Sequence, residues 1–179
     1  MCETPFLRSG RHARSARHLK RILMKIVLIN PDIPWNAGNI GRSCVATGTE
    51  LAFVGKMGFN LSDKEIRRSG LDYWQFLKYS VHPDFEAFLR TLPENPSLLF
   101  FSTRGGKSYW EAPYRPDSCL IFGAETAGFP DRMYEKYADR LYRIPMWSDR
   151  VRSLNLSTSA GVALYEALRR TGGAQAPQP

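Results

Sequence analysis

The sequence predicts an α/β fold with a mostly parallel sheet and helices on both faces. Three observations lead there. Short, continuously apolar runs recur at Lys25–Ile29, Leu51–Val54, Leu98–Phe101, Cys119–Phe122 and Leu141–Ile144, the signature of strands covered on both sides. Segments with apolar residues at helical spacing separate them. Three of the runs end in uncommon loops: Ser102-Thr-Arg-Gly-Gly106, Gly123-Ala-Glu-Thr-Ala-Gly-Phe-Pro130, and a polar, basic stretch after Ile144. In open parallel sheets ligands collect beyond the carboxyl ends of the strands, so these loops are where a site is expected.

The first strand, Lys25–Ile29, runs into Asn30-Pro-Asp-Ile-Pro34, where two prolines favour an extended loop. A Gly/Asn-rich turn then opens a helix, Trp35-Asn-Ala-Gly-Asn-Ile-Gly-Arg-Ser-Cys-Val-Ala-Thr-Gly48, that should bury Ile40, Cys44 and Val45. After the strand Leu51–Val54, Ser62 caps a short helix over 63–68, and Leu71-Asp-Tyr-Trp-Gln-Phe76 is aromatic without a clear period. Pro83 to Leu92 reads as a helix with Phe85, Phe88, Leu89 and Leu92 on its apolar face. The last helix starts near Asn155, capped by Ser153 or Asn155, and repeats Leu156, Ala160, Ala163, Leu164, Ala167 and Leu168. Its first turns, Ser157 to Gly161, are small, so another backbone or a ligand can come close to its unpaired amides.

Composition narrows the chemistry. The 179 residues suit one domain, over residues 24–171, with a tail over 172–179. No apolar run approaches the roughly 20 residues that cross a bilayer, and no membrane partner is expected. Cys2, Cys44 and Cys119 are dispersed, and His12, His18 and His82 form no ligand cluster, so the expectation is a reducing, cytoplasmic location and no structural metal. The net charge is +8, but residues 1–23 hold six basic residues against Glu3, and that arginine-rich opening reads as a disordered basic extension before a start at Met24. The remainder is mildly basic, which permits an RNA or phosphate partner without demanding one.

Familiar nucleotide and hydrolase signatures fail. Gly105-Gly-Lys-Ser108 resembles the end of a P-loop, but Phe101 stands where that loop needs glycine. Gly38-Asn-Ile-Gly41 lacks the dinucleotide spacing, and the strand-end loops hold no GxSxG elbow and no histidine base. What remains is a pocket of backbone groups and small residues flanked by Arg42, Glu125, Arg150, Arg152 and Asn155.

At this point a family resemblance becomes specific. Asn36-Ala-Gly-Asn-Ile-Gly-Arg42, Ile121-Phe-Gly-Ala-Glu-Thr-Ala-Gly-Phe-Pro130, and Ile144-Pro-Met146 with Ser153-Leu-Asn-Leu-Ser157 resemble, in order, the three motifs of the SpoU branch of the SPOUT RNA methyltransferases. Thr158-Ser159 stands where relatives often have Asn-Ala or Asn-Ser, a small-for-small change. Arg67-Arg-Ser-Gly-Leu-Asp-Tyr-Trp74 and the lack of an appended RNA-binding domain resemble the minimal subfamily that methylates the ribose 2′-oxygen of the tRNA wobble nucleotide, a cytidine or modified uridine. Alternatives from other classes are the same chemistry on ribosomal RNA and a noncatalytic RNA-binding module.

The resemblance implies S-adenosylmethionine as methyl donor, yielding S-adenosylhomocysteine, held in a deep C-terminal trefoil knot. By motif position, Phe101, Gly123, Ile144, Ser153 and Leu154 would bind it, with Gly123 bare so that backbone can approach. Arg42, Asn36 and Glu125 would form the catalytic group. An arginine side chain stays protonated in proteins, so Arg42 would grip phosphate and stabilise negative charge rather than act as base. Asn36 would position the ribose or phosphate, and Glu125 would orient Arg42 or a motif loop. The resemblance also implies a homodimer, in which RNA bound on one copy reaches the cofactor of the other, and an anticodon stem-loop as partner. Arg67, Arg68, Arg104, Lys107, Arg150 and Arg152 are candidate phosphate contacts, with Tyr73, Trp74 and Trp147 as candidate stacking rings and Tyr165 as a substrate, dimer or packing residue. The last helix, with small residues at its start and Leu156, Leu164 and Leu168 for burial, carries more small and apolar surface than one covering layer needs, which points to packing against its own copy, so that a charge at Gly161 or Leu164 should disrupt assembly and activity together.

Overall fold

A computed structural model describes residues 23–61 and 73–172. Most of the basic extension, the helix expected over 63–68 with Arg67 and Arg68, and the tail beyond Gly172 lie outside the described residues. Among those described, seven strands form one sheet: β1 (Lys25–Ile29), β2 (Glu50–Val54), β3 (Tyr79–His82), β4 (Leu98–Phe101), β5 (Lys107–Ser108), β6 (Cys119–Phe122) and β7 (Leu141–Arg143). Their order across the sheet is β3-β2-β1-β6-β4-β7-β5, and every pair is parallel. Among the described residues four α-helices accompany them: α1 (Pro34–Thr47), α2 (Phe85–Leu89), α3 (Asp131–Lys136) and α4 (Leu156–Arg170).

Alternation along the strands divides the core into two layers. Ile26, Leu28, Leu51, Phe53, Leu99, Phe101, Leu120 and Phe122 meet Ala37, Ile40 and Cys44 of α1 and Ala160, Ala163, Leu164, Ala167 and Leu168 of α4. Val27, Ile29, Ala52, Val54, Phe100, Cys119 and Ile121 meet Phe88 of α2 and Met133 of α3 on the other side. The expected α/β fold, with helices on both faces, is what forms.

The departures have local causes. α1 begins at Pro34 itself, so the Gly/Asn-rich stretch expected as a turn is helical throughout; proline is tolerated at a first helical position, where no amide partner is lost. Val45 is only half-buried. The helix expected from Pro83 to Leu92 shrinks to five residues, capped by the Asp84 side chain on the Ala87 amide at 2.7 Å. β3 went unread because Tyr79, Ser80 and Val81 are exposed on an edge strand and carry no core pattern. β7 stops one residue short of Ile144. Neither β5 nor α3 was expected: one is a two-residue edge, the other a six-residue helix.

Candidate functional site

The loops after β1, β4, β6 and β7 converge, with the start of α4, on a cavity of about 500 Å³. All five residues expected at the cofactor lie in its wall: Phe101, Gly123, Ile144, Ser153 and Leu154, together with Asn36, Glu125 and Asn155. Pairing of β4 with both β6 and β7 is what brings the three strand-end loops side by side.

A hydrogen-bonded relay crosses the site. The Glu125 carboxylate accepts from the backbone amides of Asp32 at 2.8 Å and Ile33 at 3.3 Å, and from Asn36 Nδ2 at 2.9 Å. α1 has no side-chain cap of its own, so a carboxylate from a distant loop does that work, at the end of the helix where its dipole favours negative charge. Asn36 Oδ1 in turn accepts from Asn155 Nδ2 at 3.0 Å. Asn155 Oδ1 accepts from the amides of Ser157 at 2.8 Å and Thr158 at 3.2 Å, and so caps α4. Of the two residues considered for that cap, Asn155 is the one that makes it. One side chain, Asn36, thereby locks the starts of two helices together while only 5% exposed.

Glu125 therefore holds the loop leading into α1; Arg42 lies elsewhere. Its guanidinium sits over the Tyr73 ring, 4.7 Å from the centroid, and Tyr73 donates its hydroxyl proton to the Gly38 carbonyl at 2.8 Å. Arg42 is exposed and is not part of the cavity wall; six residues separate it from Asn36, about 9 Å along a helix axis. The arrangement brings Asn36 and Glu125 to the cavity but leaves Arg42 on another face of the same helix.

Gly123 is bare because backbone approaches it closely, as expected, and the structure identifies that backbone. A Cβ there would stand 2.4 Å from the Gly128 carbonyl carbon and 2.7 Å from the Phe129 nitrogen, both of this same chain. The loop folds back on itself, with amide–carbonyl bonds between Ala124 and Gly128 of 3.1 and 2.9 Å. Gly105 is similarly forced by the Tyr142 backbone, 2.5 Å from a would-be Cβ, which accounts for the fragment resembling a P-loop. Sequence reasoning missed Tyr134. From α3 it reaches the wall, hydrogen-bonds Ser102 Oγ at 3.1 Å, and lies 3.9 Å below the Arg104 guanidinium. Nothing in the sequence marked it, because α3 itself is too short to show a period. Asp32 was also missed; its carboxylate accepts from the Thr126 hydroxyl at 2.8 Å and ties the β1 loop to the β6 loop.

The other expected contacts divide. Arg104 pairs with Asp131 at 3.4 Å, and Lys107 donates to the Asp139 carbonyl at 2.9 Å. Arg150, Arg152 and Trp147 are exposed, whereas Trp74 is half-buried beside Tyr79. Leu164 is fully buried in its own chain, while Gly161 faces open space and Tyr165 is 59% exposed. Among the described residues no three His, Cys, Asp or Glu side chains gather as metal ligands would, and no helix is long and apolar enough to cross a membrane.

The model of the SpoU rRNA methylase family matches residues 23–165. The chain belongs to that family. This SpoU methylase is 42% identical over 152 residues to the tRNA (cytidine(34)-2′-O)-methyltransferase of Escherichia coli K12, covering 84% of this chain and 95% of that one. A solved structure described as giving insight into 2-OH methylation of C/U34 on tRNA superposes with a TM-score of 0.79 at 41% identity, over 84% of this chain and 97% of that one. An AdoMet-bound rRNA methyltransferase from Sinorhizobium meliloti superposes at 0.73 with 25% identity, over 82% of this chain and 56% of that longer one. The cavity of this SpoU methylase fits such a ligand. Its volume lies within the roughly 300–1,000 Å³ of small-molecule sites. Phe101, Phe122, Ile144, Leu154 and Leu156 offer apolar wall for a purine, and the Gly123–Gly128 and Ser153 segments offer backbone and hydroxyl groups for its polar parts.

Proposed function

We propose that the protein methylates the ribose 2′-oxygen of the wobble nucleotide, cytidine or modified uridine, in tRNA, using S-adenosylmethionine. The observation that carries the reading is the convergence of all five expected cofactor residues on one cavity whose wall is cross-linked, through Glu125, Asn36 and Asn155, to the helix bearing Arg42. Family membership and the 42% identical tRNA enzyme support the substrate.

Phe101, Gly123, Ile144, Ser153 and Leu154 would hold S-adenosylmethionine, which supplies an electrophilic methyl group when bound. Asn36 and Glu125 keep the two helix starts in register, a preorganising role in which small displacements cost rate. Arg42 binds the phosphate beside the target ribose and stabilises negative charge as the hydroxyl proton leaves. Tyr73 holds that guanidinium by its ring face and is itself fixed by the Gly38 carbonyl. Since Arg42 is absent from its own cavity wall, the reading includes a homodimer in which RNA gripped by one copy reaches the cavity of the other. It also includes the C-terminal knot and a cytoplasmic location, where tRNA is processed.

Purified protein, S-adenosylmethionine and unmodified tRNA, followed by nucleoside mass spectrometry, should yield a 2′-O-methylated wobble nucleoside. Methylation of ribosomal RNA in its place, or of neither RNA, would overturn the substrate assignment.

A further inference from the structure

Two exposed tryptophans are not used by the chemistry above. Trp147 is 86% exposed and follows Met146 of the cavity wall; Trp110 is 47% exposed, in a short turn after β5. Their ring centroids are 6.5 Å apart at an interplanar angle of 46°, an open wedge whose faces are not used up in stacking on each other.

The two rings are supported differently. Trp110 rests against the buried Tyr109 ring at 5.3 Å, in a turn fixed by the reciprocal bonds of Ser108 and Glu111, and Arg170 reaches its carbonyl at 3.5 Å. Trp147 stands on the loop between β7 and α4, followed by the exposed run Ser148 to Asn155. An indole that exposed gains nothing from burial in this chain. Its surroundings are cationic: Arg150 and Arg152 share its loop with a single acid, Asp149, and the β5–β7 register sets exposed Arg143 beside Ser108.

Exposed aromatic faces among arginines, on a loop whose Met146 and Arg152 line the cavity, suit unpaired nucleotides, whose bases stack and whose phosphates pair with guanidinium groups. We propose that Trp147 and Trp110 form a stacking platform for an unpaired base of the RNA substrate, next to the nucleotide whose ribose is methylated. The inference rests on the reading of the protein as an RNA methylase but does not depend on which RNA is modified. It separates the three candidate rings: Trp74 packs within the fold, Tyr73 is engaged with Arg42 and Gly38, and Trp147 carries the stacking role with Trp110 as its rigid neighbour.

The test uses the full chain, a synthetic anticodon stem-loop and a short oligouridylate as probes. Trp147→Ala should weaken binding of both probes by about 5- to 100-fold, the value of stacking one base on an aromatic ring, and Trp147→Phe should recover most of it. Tryptophan fluorescence of the wild type should be quenched on titration with either RNA, and less so in Trp147→Phe. Affinity for S-adenosylmethionine by calorimetry and mass by light scattering should not move. Unchanged RNA affinity in Trp147→Ala overturns the platform. So does a loss accompanied by a drop in cofactor affinity, which would make Trp147 part of the cofactor wall, or by a change in mass, which would make it a contact between copies. If the wild type binds and quenches with both RNAs yet methylates no wobble nucleotide, the substrate assignment fails and the platform stands.

Discussion

Replacing Asn36 by Asp tests the relay that joins the two helix starts. The wild-type amide gives one hydrogen to Glu125 at 2.9 Å and accepts one from Asn155 at 3.0 Å. An aspartate keeps the second bond and loses the first, since two carboxylates would then face each other across a position that is 5% exposed. A hydrogen bond to a charged acceptor is worth about 1.5–3 kcal/mol. Repulsion between the two charges adds on the order of 4 kcal/mol at an effective dielectric of 20, limited by the pair's option of sharing a proton. A destabilisation of about 3–5 kcal/mol at pH 8 follows, or a melting temperature lower by roughly 6–20 °C for a chain of this length. The sign of its pH dependence is fixed by linkage. The folded variant holds a proton that the unfolded chain releases, so its deficit against wild type should shrink as pH falls from 8 towards 5. Asn36→Ala, which loses the bonds without adding charge, should show a deficit that does not vary with pH. Thermal melts of the three proteins at both pH values decide the matter: an Asp variant within 2 °C of wild type at pH 8, or one whose deficit ignores pH, refutes the relay.

Gly123→Ala should cost about 1–3 kcal/mol by forcing the β6 loop off the Gly128–Phe129 backbone, and should weaken S-adenosylmethionine binding in parallel; calorimetry and a thermal melt together check it. Arg42→Ala should abolish methyl transfer while leaving cofactor affinity near normal, because the side chain is not in the cavity wall; loss of both in the same titration would contradict its role. Wild-type protein should show a dimeric mass by light scattering and Gly161→Asp a monomeric one, since Gly161 faces open space within one chain whereas Leu164 belongs to the monomer's own core. Burial pushes the thiols of Cys44 and Cys119 up to about 12, so peptide mapping after iodoacetamide at pH 8 should find neither alkylated in the native protein and both alkylated in denaturant.

How much was legible follows from what writes itself into local sequence. The buried strands β1, β4 and β6 were found to the residue because each is apolar on both faces. β3 and β5 were invisible because an exposed edge strand has no hydrophobic pattern to display. The five cavity residues were readable only as parts of motifs; that backbone must pass close to Gly123 was readable, but which backbone was not, since the atoms it must avoid belong to a reversal of its own loop. Glu125 is the clearest case of information that only folding supplies. Its partners Asp32 and Ile33 lie about ninety residues earlier, and no spacing rule connects a strand-end acid to an uncapped helix that far away.

The insertion of β6 between β1 and β4 also has a consequence for synthesis. β1 pairs on one side with β2, formed soon after it, but its other neighbour begins at Cys119, ninety positions beyond Ile29. On a ribosome adding about 5–20 residues per second, the nascent chain spends several seconds or more with the apolar edge of its central strand unmatched. Any strand from another nascent chain can occupy that edge first. The yield of this protein should therefore depend on translation speed and on chaperones that shield an open sheet, even where the finished enzyme is stable.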